Sequence, residues 1–361
     1  MASEFVYMYE FDAGISFNND IYNIFKNPEK QAEGNYAKPE PTEFESFYRP
    51  HIFNMGKTQI KVKDTWQEFR IQVAFYDFGG ISIRLRLTID RPNSKIVWEL
   101  GFGKETNEEM DKEISKIKNE IEKHISKIGK LDDKGFYENY KFYYIEEKKN
   151  LVLGRYKGLI AGLLINEKEA NTLDKNYVEQ ILSRKIEYDL NNIVFVGWES
   201  TFMIDRDYSH EHELTTAEIA NLQLLEMRLY HKNLVQRISN ASKVLSKINT
   251  TKILNNNRYI VNSLQKSLGI AYNNSGVILN SINDAYFNMG DWYISRLYAL
   301  YSGVFRLNEW KERLNEDLED IEKEQTFATE LINTIHSNML EYIVILLIFI
   351  EVAIEIISLI K

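Results

Sequence analysis

Gln67–Asp90 reads QEFRIQVAFYDFGGISIRLRLTID. Two runs rich in β-branched and aromatic residues flank Gly79-Gly80, the pattern of two antiparallel strands joined by a tight turn. Asp77-Phe78-Gly79 has the letters of the kinase metal-binding motif, but the glycine-rich loop, catalytic loop and strand lysine of that fold are missing. The stretch is therefore read as a hairpin.

Upstream, Phe5–Phe11 alternates like a strand, and the polar segment Asn27–Ser46 holds three of the five prolines and reads as a loop. Downstream, Met110, Ile114, Ile117, Ile121, Ile125 and Ile128 form one stripe of a helix between Glu108 and Gly129. GFYENYKFYYIEE reads as a strand. LVLGRYKGLIAGLLI is far too short to span a membrane, and its Gly154, Gly158 and Gly162 suit close helix packing. RKIEYDL and NIVFVGWESTFMID are β-like.

Beyond Asp205 proline disappears and helical periodicity takes over. Thr215 and Glu218 have capping-box spacing, with Leu214 and Ile219 as the matching staple. The helix so started runs towards Ile248, and others cover about Asn257–Asn283 and Gly290 onward. Asn221, Gln223, Glu226 and Arg228 interrupt its apolar pattern; a buried polar network is one reading, but solvated positions and i,i+4 contacts account for most of them. Leu307, Trp310, Leu314, Leu318, Ile321, Ala328, Ile332, Ile335 and Met339 keep a three/four spacing, and neither Gly nor Pro lies between Arg306 and Lys361. This predicts one long helix, packed in a bundle or coiled coil over its first part.

The expected fold is α+β. A mixed α/β region (1–205) precedes a long-helix bundle (206–341) and a C-terminal transmembrane helix (342–361). Tyr342–Ile360 is almost entirely aliphatic and, at about 1.5 Å per residue, approaches the ~30 Å hydrocarbon thickness. Tyr342 suits an interface and Lys361 the far end. Glu351 and Glu355 oppose insertion, though the aliphatic residues can outweigh them. Glu341, Glu351 and Glu355 share an arc of roughly 80° at about 100° per residue. This predicts a single-pass anchor with the body in the cytoplasm, and homo-oligomers associated along the glutamate face.

Hydrophobic residues are 44% and charged residues 27%, with mean hydropathy -0.37. The net charge of -9 argues against direct DNA binding. There is no cysteine, which excludes disulfides, thiol nucleophiles and Cys-ligated zinc. The N-terminus has no secretory or transit pattern. His210 and His212 form a His-x-His beside Glu211 and Glu213, but no further ligands follow by spacing, so a solvated acidic loop is expected and no metal or cofactor is assigned. No Walker loop, dinucleotide fingerprint, nucleophile elbow or zincin helix is present.

NNIVFVGWES, ELTTAEIANLQLLEMRLYHKNL, WYISRLYALYSGVFRLNEWKERLNEDLEDIEKE and SNMLEYIVILLIFIEVAIEI together resemble the Rmd/YagE family (domain of unknown function 155), most closely over Val194–Ile360. The resemblance implies a C-terminal membrane segment, homo-oligomers and a ribosome or membrane-protein partner, with no catalytic residues to carry over. The expected function is a non-enzymatic, membrane-anchored scaffold or tether. The alternatives are a pore lined by the tail glutamates and an enzyme with an unrecognised site in the N-terminal half.

Overall fold

The computed structural model describes residues 2–13, 50–76, 78–125, 136–205, 210–246, 259–272 and 291–360. The loop expected at Asn27–Ser46, the end of the helix drawn to Gly129, the later part of Asn257–Asn283, and the residues Asp77 and Lys361 lie outside them. The chain divides into two compact units, Met1–Glu226 with Ile282–Asn308, and Met227–Ser281 with Glu309–Lys361.

The first unit is built on an eight-stranded sheet. Its strands are β1 (Ala2–Asp12), β2 (His51–Val62), β3 (Thr65–Phe75), β4 (Gly80–Asp90), β5 (Glu138–Glu146), β6 (Lys185–Ile186), β7 (Ile193–Val196) and β8 (Ser200–Asp205), in the order β2-β3-β4-β1-β5-β8-β7-β6. The anticipated hairpin is β3–β4, antiparallel with Phe75 opposite Ile81 and with Gly79 at φ 111°, the left-handed region glycine tolerates. β1 lies between β4 and β5 and is antiparallel to both, while β5 and β8 run parallel. Strand β2 was not foreseen. It pairs with β3 through a bulge between Asn54 and Gly56, which breaks its alternation.

Because side chains alternate across a strand, odd-numbered residues of β1, β3 and β4 share one face. Phe5, Tyr7, Phe11, Phe69, Ile71, Val73, Phe75, Ile81, Ile83, Leu85 and Leu87 all enter one apolar core. Against them pack α1 (Ser94–Phe102), α2 (Lys104–Ile125) and α3 (Lys149–Ile165). The isoleucine stripe from Met110 to Ile125 is buried as expected. A Cβ on Gly162 would lie 2.5 Å from Ala170 Cβ, so that glycine serves close packing, whereas Gly154 faces open space. A short 3-10 turn (Ala170–Thr172) and α4 (Lys175–Leu182) follow. The even-numbered face is polar, and beside it lie the first turns of α5 (Glu211–Leu245), followed later in the chain by α6 (Trp292–Phe305).

The second unit is helical. It comprises α5 from Met227, residues 259–272, and most of α7 (Leu307–Ile360). Arg306, at φ 57°, separates α6 from α7. In α7 the buried residues Leu314, Ile321, Ala328 and Ile335 recur every seven positions, the period of supercoiled packing. Ala328, Leu331 and Ile335 form a cluster with Leu245 and Val261. His231 Nδ1 meets Asp317 Oδ2 at 2.6 Å.

Two expectations need correction. Among the described residues, no helix is long and apolar enough to cross a membrane, so the transmembrane helix, the tail anchor and the localisation derived from it are not supported. Glu341, Glu351 and Glu355 divide the tail. Its longest uncharged run before Glu351 is Tyr342–Ile350, nine residues, or ~14 Å of helix against a hydrocarbon core of ~30 Å. The capping box is also absent. The Leu214 amide already donates to the His210 carbonyl, so Thr215 lies inside α5, and the Glu218 carboxylate is drawn to a buried arginine instead of its own helix end.

Candidate functional site

The polar face of the sheet carries a layer of charged side chains. On β4, Ser82, Arg84 and Arg86 all point to it. Register places Arg84 beside Met8 of β1 and Gln72 of β3, and places Arg86 beside Val6 and Arg70. β1 contributes Glu4, Glu10 and Asp12. The first turns of α5 contribute Glu211, Glu218, Asn221 and Glu226.

The layer has two clusters. In the first, Arg84 Nε donates to Glu218 Oε1 at 2.8 Å, Arg84 Nη2 donates to Glu218 Oε2, and the Tyr76 hydroxyl donates to the same carboxylate. Neither Arg84 nor Glu218 exposes any of its side chain. Asn221 Nδ2 donates to Glu10 Oε2 at 2.8 Å. In the second, Arg86 Nε and Nη2 clasp Glu4 at 3.1 Å and 2.6 Å, Nη2 also reaches Glu211, and Nη1 donates to Gln72 at 2.9 Å. Arg70 donates to Glu4 at 3.0 Å, and His210 Nε2 to Glu4 Oε2 at 2.6 Å. The His210 ring stacks on Tyr144 with centroids 4.2 Å apart.

The electrostatics follow from enclosure and pairing. Burial pushes the Glu4 carboxyl up, but the His210 hydrogen bond and the Arg86 charge together outweigh it and hold the group well below the usual range. Glu211 is held down in the same way, with Arg86 outweighing burial. Arg84 is raised because Glu218 outweighs the burial that would discharge it. Glu10, Glu226 and Glu213 go the other way. Burial dominates in all three, and Glu213 rises to about 7.

Of the histidines singled out by sequence, His210 joins the layer. The solvated acidic loop is corrected here, because Glu213 is buried and His210 is sandwiched between Glu4 and Tyr144. Glu4, His210 and Glu211 offer three possible metal-ligand atoms within 4.8 Å of one another. The Arg86 guanidinium donates to both carboxylates and supplies the positive charge that a metal would bring. Asn221, Gln223 and Glu226 are buried, so the polar-network reading holds for these three and the solvated one does not. Gln223 accepts from the Tyr298 hydroxyl at 2.5 Å.

The tail residues stand elsewhere. Glu341, Tyr342, Glu351 and Glu355 are all exposed on α7. Glu4, Glu10, Tyr76, Arg84 and Arg86 were missed by sequence reading. Their signal was parity: two glutamates six apart in one strand and two arginines two apart in another, each on a single face of an otherwise apolar run.

No solved structure matches the chain. A relative from Methanocaldococcus jannaschii (strain ATCC 43067 / DSM 2661 / JAL-1 / JCM 10045 / NBRC 100440), Uncharacterized protein MJ0711, is 22% identical over 243 residues, covering 66% of this chain and 73% of the relative. Residues 2–211 match the family described as "Uncharacterized protein MJ0711, N-terminal domain". This overturns the Rmd/YagE resemblance, which was carried by stretches over Val194–Ile360. The membrane and translation roles implied by it fall with it. The match takes in the whole sheet and the start of α5, and on it the chain belongs to the family of the uncharacterized protein MJ0711 N-terminal domain.

Proposed function

We propose that the protein is a non-enzymatic scaffold whose copies associate through the C-terminal part of α7. The observation carrying this reading is the exposure of that helix. From Met339 to Ser358 every residue except the half-buried Ala353 is exposed, and Phe349 is 74% exposed. So long an apolar surface marks an interaction site in a chain of otherwise ordinary hydropathy.

A second copy is the partner that fits. At about 100° per residue, Leu346, Ile350 and Ile357 lie within roughly 60° of the azimuth of Ile321, Ala328 and Ile335. The seam that α7 buries higher up thus continues along the tail. Association along the glutamate face is expected for a tail inside a membrane; without that setting, Glu341, Glu351 and Glu355 are placed on the opposite side, where water solvates them. The glutamates form the rim of the assembly and the aliphatic arc its centre.

The layer under α5 supports the non-enzymatic part of the reading. Its strongest pair is enclosed, and its charged groups are mostly engaged with one another rather than presented to a substrate.

Cysteine cross-linking tests the proposal. The chain has no cysteine of its own. Ile350→Cys placed in the full chain should form an intermolecular disulfide under mild oxidation, and Glu351→Cys should do so much less. Equal and negligible cross-linking at both positions would refute it.

A further inference from the structure

Glu10 is fully enclosed. Its Oε2 accepts from Asn221, while its Oε1 has no hydrogen-bond partner among the described residues. Ser82 is its register partner on β4, on the same face, and Ser82 Oγ is also without a partner. Glu226 repeats the pattern five residues beyond Asn221. It is buried, and among the described residues its Oε1 has no partner and the charged group facing it is Asp12 of β1.

Among the described residues, the surrounding charges do not balance these two carboxyls. Glu10 is faced by Glu218 from α5, Glu138 and Tyr140 from β5, Tyr76 just beyond the end of β3, and Arg84 from β4. Arg84 is the cation among them, and its Nε and Nη2 are committed to Glu218. If every carboxyl were ionised, Arg84 and Glu218 would cancel, and Glu10 and Glu226 would remain as uncompensated charges in an enclosed site. Isolated buried charge is expensive enough that the group takes up a proton instead. A metal does not solve the balance, since the group with three ligand atoms in reach of one another among the described residues is at Glu4, His210 and Glu211.

We propose that Glu10 and Glu226 are held as neutral carboxylic acids, and that losing their protons loosens the first half of α5 from the sheet. The layer is then a proton-sensitive clasp. A neutral Glu10 brings a hydroxyl donor to the strand position paired with Ser82. On deprotonation the proton leaves to solvent and a carboxylate stays beside Glu218. Burial pushes both acids up, with Glu218 adding to the rise at Glu10 and Asp12 to that at Glu226. A raised acid stabilises the fold below the ordinary carboxylate range, and that stabilisation is lost as pH rises through the folded value.

Two measurements on the full chain test this. Infrared spectra at about pH 7 should contain the carbonyl band of protonated carboxylic acids, and it should weaken in Glu10→Gln and in Glu226→Gln. Hydrogen-exchange protection of α5 residues 214–226, corrected for intrinsic exchange, should fall by about tenfold as pH is raised above the ordinary carboxylate range and through the folded-state values. The double Gln variant should fall less, keeping only the part of the loss that Glu213 contributes. A band untouched by both substitutions, or wild-type protection that falls no further than that of the double variant, would overturn the proposal. The infrared titration of the wild-type chain decides the matter even where a variant does not fold, because absence of the band at neutral pH is itself contrary.

Discussion

Arg84 and Glu218 form a two-pronged ion pair in which neither side chain has any contact with solvent, 134 residues apart in the chain. The pair fixes α5 to the sheet in one register. Removing one partner leaves the other charged and enclosed, whereas removing both leaves an apolar gap that can close. Glu218→Gln should therefore lower stability by about 3–5 kcal/mol, and Arg84→Met with Glu218→Met should recover most of the loss. Urea unfolding of the wild type, Glu218→Met, Arg84→Met and the double Met variant closes the cycle that measures this. Additive losses would argue that the pair is not a unit.

Glu213 gives a pH dependence of defined sign. Burial raises its carboxyl from the ordinary 4.5 to about 7. The neutral acid is what the folded state prefers, so its contribution is complete below about 4.5 and is lost as pH rises through about 7. At about 1.4 kcal/mol per unit the loss is at most about 3 kcal/mol. Glu213→Gln should match the wild type near pH 4.5 and exceed it near pH 8, read from urea midpoints across that range. Glu4 acts in the opposite sense, since its lowered carboxyl stabilises at neutral pH and loses that effect in acid.

The glycines of α3 should separate by environment. Gly162→Ala forces a methyl to 2.5 Å from Ala170 Cβ and 2.6 Å from the Glu167 carbonyl, and should cost about 1–3 kcal/mol. Gly154→Ala meets nothing within 4 Å, and should gain about 0.5–1 kcal/mol from helix propensity. Thermal melts of the two variants would show opposite shifts.

Arg86 stands where a metal would stand. Calorimetric titration with manganese(II) should give no binding dependent on His210 in the wild type. Arg86→Met should create such binding, and adding His210→Ala should remove it. Wild-type binding that disappears in His210→Ala alone would contradict the assignment of Arg86.

Much of the fold was legible because it rests on local periodicity. Period two in Gln67–Asp90 gave the β3–β4 hairpin, and the isoleucine spacing from Met110 to Ile125 gave α2. Strand β2 escaped because the bulge at Asn54 and Gly56 breaks its alternation. The charged layer escaped for a different reason. Arg84, Glu10 and Glu218 acquire meaning only when β4, β1 and α5 are brought together, and the distances along the chain that separate them leave no local trace. Thr215 and Glu218 matched a capping box by spacing, yet a buried guanidinium competes for the same carboxylate more strongly than a helix end does. The tail misled in another way. Its aliphatic content resembles a membrane span, but the carboxylates at Glu341, Glu351 and Glu355 shorten the uninterrupted run.

Sedimentation equilibrium of the full-length chain, beside full-length Ile350→Lys and Glu351→Gln, tests the scaffold reading most directly. The wild type and Glu351→Gln should share one oligomeric mass, and Ile350→Lys should fall to a smaller species, because a charge at the centre of the seam opposes association while one removed from its rim does not. A wild-type chain that is monomeric at every loading concentration, or an Ile350→Lys variant with unchanged mass, would contradict it.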